Sequence, residues 1–255
     1  MVNAKDLFDL KGKIAVVTGS GTGLGKAMAI ALAQAGADIL LVGHKTPLDE
    51  IQEEIQKLGK KVSTIMVDLG DKTAPKQVIE KAVKEFGGLD ILVNNAGIIR
   101  RSPASEYSLE DWETVMRINA TSVFLLCKEA YKVFVKRGGG KIINIASMLS
   151  FQGGILVPAY SASKGAVAQL TKALANEWAS KNICVNAIAP GYMETDNTKP
   201  LREDPVRSKA ILERIPAGRW GKPGDLAGAV VFLASRASDY VHGAIINVDG
   251  GWLAR

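Results

Sequence analysis

Residues 14–25 read IAVVTGSGTGLG. An apolar, largely β-branched run from Ile14 to Thr18 passes directly into Gly19, Gly21, Gly23 and Gly25, and the stretch that follows, to Gly36, is alanine-rich and of helical character. Strand, glycine turn and helix in this order make an anion cradle. Missing Cβ atoms let the backbone approach a pyrophosphate, and the free N–H groups of the helix start, with the helix dipole, favour its charge. Glycine turns also serve only to pack strand against helix, but here both flanks match the dinucleotide-binding context.

Outward from this loop the pattern repeats. ADILLV (37–42), KVSTIMV (61–67), LDILVN (89–94), KIINIA (141–146), ICVNAI (183–188) and AIINV (244–248) are further strand candidates separated by helix-length segments. Their hydrophobicity is continuous rather than alternating, as in strands covered on both faces. Right-handed crossovers then give an α/β, doubly wound Rossmann fold: one domain over 1–255, an about seven-stranded parallel sheet, and helices on both faces. The GGG at 138–140 falls where a helix should end before a strand. Residues 190–205, with Pro190, Pro200 and Pro205, read as the longest irregular segment and a candidate lid.

Composition excludes several classes. Of the 255 residues 47% are hydrophobic and 23% charged, enough apolar material for a large core and no signature of disorder. The net charge of +6 is spread along the chain rather than gathered in a basic stripe, so no nucleic acid is expected. Cys127 and Cys184 form neither a CxxC pair nor a disulfide framework, which suits the cytoplasm, and His44 and His242 lack companions at ligand spacing, so no metal is expected. The polar start MVNAKDLFDLKGK lacks the apolar core of a signal peptide, and no apolar run is long enough to span a membrane, so neither export nor membrane spanning is expected.

An acidic residue at the end of the second strand would hold the ribose of NAD, but that strand ends in Gly43-His44-Lys45. NAD is the expected cofactor and NADP is not excluded, because nothing there repels a 2'-phosphate. Asp68, followed by Leu69 after the third strand, is a candidate for the adenine and equally a turn or cap residue. Tyr160 and Lys164, in YSASK, share one face of a predicted helix. An ammonium nearby lowers a phenol's pKa and makes proton transfer to or from a substrate oxygen feasible at neutral pH.

TGSGTGLG (18–25), NNAG (94–97), Asn119, Ser147, YSASK (160–164) and PGYMET (190–195) come in the order and spacing of the short-chain dehydrogenase/reductase family, which the chain resembles over almost its whole length. The resemblance implies that Tyr160 moves the proton and that Lys164 tunes it and holds the nicotinamide ribose. It further implies that Ser147, thirteen residues before Tyr160, polarises the carbonyl and that Asn119 anchors a relay water. The expected cofactor contacts are Gly19, Thr22, Gly23, Leu24, Gly25, His44, Asp68, Leu69, Asn95, Ala96, Gly97, Tyr160, Lys164, Pro190, Gly191 and Thr195, with Asn94 supporting the sheet.

KIINIASMLSFQGG, NAIAPGYM, RIPAGRWG and VDGGWLAR resemble members of that family that act on deoxy-keto sugar acids in the breakdown of pectin-derived uronates. A sugar-acid carboxylate needs cationic or hydrogen-bonding partners, and Arg100, Arg101, Gln152 and Tyr192 fall in loops beside predicted strand ends. The alternatives are another polyol, gluconate or 3-oxoacyl substrate on the same fold and, from a different class, a non-catalytic dinucleotide-binding protein. A homo-oligomer, usually a tetramer, is implied by the family. Trp252 offers apolar material for such an interface, or folds back on its own core.

Overall fold

The computed structural model describes residues 3–255. Met1 and Val2, at the start of the polar N-terminal stretch, lie outside the described residues. Seven strands form one parallel sheet: β1 (Ile14–Thr18), β2 (Asp38–Gly43), β3 (Val62–Met66), β4 (Ile91–Asn94), β5 (Gly140–Ile145), β6 (Ile183–Pro190) and β7 (Ile245–Val248). Their order is β3-β2-β1-β4-β5-β6-β7. Chain order reverses between β1 and β4, and at such a switch point the loops leaving the strand C-termini part to form a crevice.

The helices are α1 (Ala4–Leu7), α2 (Gly23–Gln34), α3 (Asp49–Lys57), α4 (Ala74–Phe86), α5 (Leu109–Met116), α6 (Ser122–Arg137), α7 (Pro158–Trp178), α8 (Lys199–Glu203), α9 (Pro205–Arg214) and α10 (Ala227–Ala234). Two apolar layers explain the unbroken hydrophobic runs. Ala15, Val17, Ile39 and Leu41 pack under α2, α3 and α10 through Met28, Leu32, Ile51, Ile55, Val230 and Leu233. Val16, Leu40, Val42 and Leu92 face the other way, against Val78 of α4, Leu126 and Phe134 of α6 and Val167 and Leu174 of α7. Successive strand residues point to opposite faces, so a strand covered on both sides needs apolar residues at every position. The outer strands β3 and β7 are only partly buried.

The segment 190–205 departs from expectation. It is not irregular: a 3-10 turn (Asp196–Thr198) leads into α8 and then α9. Pro200 and Pro205 sit in the first turns of those helices, where no intrahelical N–H is needed and proline's fixed φ is already helical. Asp204 caps α9, accepting from the N–H groups of Val206 at 2.9 Å and Arg207 at 3.0 Å. Read as breakers, these prolines are helix starters.

Candidate active site

The crevice between β1 and β4 is built from close backbone contacts. Gly19 holds φ at +63°, and a Cβ there would lie 2.9 Å from Ala96 Cα. A Cβ on Gly25 would meet the Gly19 carbonyl oxygen at 2.1 Å. The NNAG segment locks the loop in place. Thr18 Oγ1 accepts from the N–H groups of Asn95 and Ala96, each at 3.0 Å, while the Asn95 amide donates to the carbonyls of Thr18 and Gly19 at 2.9 and 3.1 Å. Asn95 therefore braces the loop as well as lining the crevice. Thr22 does not cap α2 with its side chain, and the first turn carries no acidic residue, so its N–H groups are left for an anion.

Two hollows flank this loop. One, of about 270 Å³, is walled by Thr22, His44, Lys45, Asp68, Leu69 and Gly97, and suits an adenosine. His44 and Lys45 are exposed at the end of β2, with no carboxylate between them and the loop. Asp68 accepts from the N–H of Gly70 at 2.8 Å, so it makes the turn after β3 and still lines the hollow. The other, of about 310 Å³, takes in Gly19, Thr22 to Gly25, Asn95 to Gly97, Tyr160, Lys164 and Thr195. Together they offer what a nicotinamide dinucleotide needs: a glycine cradle, a helix start, an adenosine slot, and Lys164 at the far end. Pro190 closes β6 beside Val248, and Gly191 packs against Asp249; among the residues expected to touch cofactor in this segment, only Thr195 reaches the phosphate side.

Ser147, Tyr160 and Lys164 converge. Ser147 follows β5 and caps a short 3-10 turn, its hydroxyl accepting from the N–H of Leu149 at 3.1 Å. Tyr160 and Lys164 lie one turn apart at the start of α7, with Lys164 Nζ 5.7 Å from the centroid of the tyrosine ring. Burial raises the Tyr160 phenol above its ordinary value, while the neighbouring Ser147 hydroxyl and the charge of Arg101 pull it down. The sequence had assigned that pull to Lys164. Instead the Lys164 ammonium donates to the Ile145 carbonyl at 2.6 Å, and its own desolvation brings its pKa to about 8.

Asn119 is fully buried in a π-helical turn (Arg117–Thr121) between α5 and α6. Such turns are rare and gather at functional sites. Its amide donates to the Ile98 carbonyl at 2.9 Å and to Ser163 Oγ at 3.2 Å, and its Oδ1 accepts from the N–H of Ile98 at 2.8 Å. Asn119 thus ties the loop after β4 to α7, one turn from Tyr160. Asn94 works in the same manner beneath the site: it donates to Asn144 Oδ1 at 2.9 Å, and Asn144 in turn to Thr171 Oγ1 of α7 at 3.0 Å.

Beyond Tyr160 opens a cavity of about 480 Å³ whose wall includes Arg101, Ser147, Gln152, Tyr192, Arg207 and Arg214. Tyr192 is held edge-on between Trp220 and Trp252, at 5.5 and 4.7 Å between ring centroids. Arg214 stacks on Trp252 at 4.0 Å and donates to Gln152 Oε1 at 3.3 Å. Trp252, 4% exposed, folds back on its own chain as part of this wall. Arg100 is a correction: it turns outward to Asp111, 3.4 Å away, and does not reach the cavity, whereas Arg101 lines it and donates to the Asn197 carbonyl at 2.8 Å. Sequence reasoning missed Arg207 and Arg214. They are seven apart on α9, with Ala210 and Ile211 between them on the same inward face, a spacing visible once that helix is recognised.

With this geometry in view, residues 19–253 match the family model described as Enoyl-(Acyl carrier protein) reductase. The chain is a member of the short-chain dehydrogenase/reductase family. It is 58% identical over 249 residues to 2-dehydro-3-deoxy-D-gluconate 5-dehydrogenase of Dickeya dadantii, covering 97% of this chain and 98% of that one. To the Bacillus subtilis enzyme of the same name it is 55% identical over 252 residues, 98% of both chains. Among solved structures, one assigned as a 2-deoxy-D-gluconate 3-dehydrogenase from Agrobacterium tumefaciens, with NADP bound, aligns with a TM-score of 0.92 at 54% identity, covering 98% of this chain and 100% of that one. A gluconate 5-dehydrogenase from Burkholderia cenocepacia in complex with NADP and tartrate aligns at 0.94 with 38% identity, over 99% and 100% of the two chains. The family reading makes this chain an oxidoreductase, and the sheet order is that of a Rossmann fold. Among the described residues no helix is long and apolar enough to cross a membrane, and no group of three or more Cys, His, Asp or Glu side chains is placed to hold a metal ion.

Proposed function

We propose that this short-chain dehydrogenase/reductase moves a hydride between NAD(P) and a secondary alcohol or ketone of a deoxy-keto sugar acid, of the 2-keto-3-deoxygluconate type. The observation that carries the reading is the position of Tyr160, which walls both the crevice beside the glycine loop and the arginine-bearing cavity. Asn197 also lines both hollows, but of the two shared residues only Tyr160 carries a hydroxyl that can exchange a proton with a substrate held on the arginine side. Bound in the crevice, the nicotinamide supplies or accepts the hydride.

Every other part of the reaction is assigned to side chains of this protein. In oxidation, the Tyr160 phenolate takes the proton of the substrate hydroxyl while Ser147 donates a hydrogen bond to the same oxygen as it becomes a carbonyl. Lys164, with a pKa of about 8, is charged at neutral pH and stabilises the phenolate once a ligand draws it from Ile145. Reduction runs the same steps backwards. Arg101, Arg207 and Arg214 provide the positive wall for a carboxylate. Intact Ser147, Tyr160 and Lys164 argue against a non-catalytic dinucleotide-binding protein.

The exposed His44 and Lys45 favour acceptance of NADP beside NAD, in keeping with the NADP bound by the solved relatives. The same reading places the enzyme in the cytoplasm as a homotetramer in pectin-derived uronate breakdown, which sizing by light scattering and growth on that carbon source test.

The deciding experiment is steady-state kinetics with both cofactors across 2-keto-3-deoxygluconate, gluconate, neutral polyols and an acyl thioester. Turnover of the deoxy-keto acid is expected, with KM raised at least about tenfold, near 1.4 kcal/mol, in Arg207→Ala and Arg214→Ala and little change in kcat. Preference for the thioester or for an uncharged polyol would overturn the substrate assignment.

A further inference from the structure

At the other end of the sheet, where the strands begin, lies a further cavity of about 400 Å³ that has no part in hydride transfer. Its wall includes Lys141, at the start of β5, and Cys184, at the start of β6. These residues face each other in the strand register, on the same face of the sheet. Lys141 Nζ lies 3.3 Å from Cys184 Sγ and 2.8 Å from Asp239 Oδ1. His242 Nε2 is 4.0 Å from the same sulfur, while its Nδ1 is buried without a partner. Cys127, in contrast, has only amides beside it: Asn94 Nδ2 lies 3.3 Å from its sulfur.

A thiol held against a lysine nitrogen, with an imidazole beside the sulfur and a carboxylate fixing the nitrogen in place, is an arrangement for oxidative coupling. We propose that Lys141 and Cys184 are joined by peroxide into an inter-strand S–O–N bridge. The 3.3 Å hydrogen bond from Lys141 to Cys184 keeps nitrogen and sulfur close enough for one oxygen to span them after a small closure.

The balance is as follows. The Cys184 thiolate attacks one hydrogen peroxide molecule; the O–O bond breaks, an S–O bond forms, and sulfur gives up two electrons as water leaves. The Lys141 ammonium, paired with Asp239, must first release its proton to solvent; the free amine is then oxidised by a second peroxide to the hydroxylamine, with a second water released. Condensation of the sulfenic acid with the hydroxylamine expels a third water and leaves S–O–N. Two peroxides are consumed and three waters formed.

The consequence is topological. Lys141 and Cys184 are 43 positions apart, and the segment between them carries Ser147, Tyr160 and Lys164. A bridge closes a covalent loop around all three and, by restricting the unfolded chain, raises the midpoint of denaturation.

The test treats the purified full chain with hydrogen peroxide, digests it with trypsin without reductant and maps it by mass spectrometry. The expected product is a peptide pair joined at Lys141 and Cys184, heavier than its parts by one oxygen less two hydrogens. It is uncleaved after Lys141 and separates on adding dithiothreitol. Lys141→Arg, which keeps a cation opposite Asp239, and Cys184→Ser should both abolish it. Recovery of Cys184 as a dimedone-labelled sulfenic acid beside an unmodified Lys141, or of both residues unoxidised, would overturn the proposal. Because the readout is made on the wild-type chain, it does not depend on either variant folding.

Discussion

Lys164 Nζ donates to the backbone carbonyl of Ile145 at 2.6 Å. Ile145 is the last residue of β5, two before Ser147, so one hydrogen bond references the lysine to the strand that delivers the serine. Lys164 is 5% exposed, and nothing in its surroundings offers a carboxylate to offset the cost of burying its charge. The site holds a destabilised cation ready for a ligand.

That cost sets a pH dependence. The folded pKa of Lys164, about 8, lies below the unfolded value of 10.5, so between them the unfolded chain binds more protons and stability rises with pH. The penalty is complete below pH 8 and is relieved as pH approaches 10.5. Lys164→Met, which cannot titrate, should lack this increment of about 3 kcal/mol. Urea titrations of both proteins across that window check it; parallel curves would show that the buried ammonium costs nothing.

Arg101 acts on Tyr160 through charge, lowering a phenol that burial has raised. Removing the guanidinium leaves the burial effect less opposed. In Arg101→Gln the alkaline rise of the oxidation rate should therefore move to higher pH, whereas Arg101→Lys should keep the wild-type profile. A profile unmoved in the glutamine variant would mean that the charge is not felt at the hydroxyl. Tyr160→Phe should have no such limb and almost no turnover.

Gly25 allows the first turn of α2 to lie against the Gly19 carbonyl, with 2.1 Å left for an absent Cβ. Gly25→Ala must push the loop from the helix and spoil the cradle. A rise in cofactor KM of roughly tenfold or more, about 1.4 kcal/mol, is expected by initial-rate kinetics. The effect on substrate KM should be small, since the arginine cavity lies on the other side of Tyr160.

The sheet was readable from sequence because each buried strand must be apolar on both faces; all seven runs became strands, and only their ends moved. Ser147, Tyr160 and Lys164 were legible through spacing shared with a family, and the structure brings them together. The substrate wall was not. Two adjacent arginines outside a helix diverge, so Arg100 meets Asp111 while Arg101 faces the cavity. Arg207 and Arg214 belong to a helix hidden by the proline at its start. The partner of Lys164 could not be read at all, since a backbone carbonyl has no sequence signature.

The end of β2 offers the last test. Gly43 is followed by exposed His44 and Lys45, and no carboxylate faces the adenosine hollow from that strand. A carboxylate there would accept hydrogen bonds from the two ribose hydroxyls and repel a 2'-phosphate. His44→Asp should thus lower kcat/KM for NADP at least about tenfold against NAD, a change of about 1.4 kcal/mol in relative binding. Lys45→Ala should weaken NADP alone, and more so at low salt, where the ammonium is less screened. If both variants kept the wild-type ratio of the two cofactors, the 2'-phosphate would have to be held from another wall of the hollow, with Thr46 the nearest polar side chain in sequence.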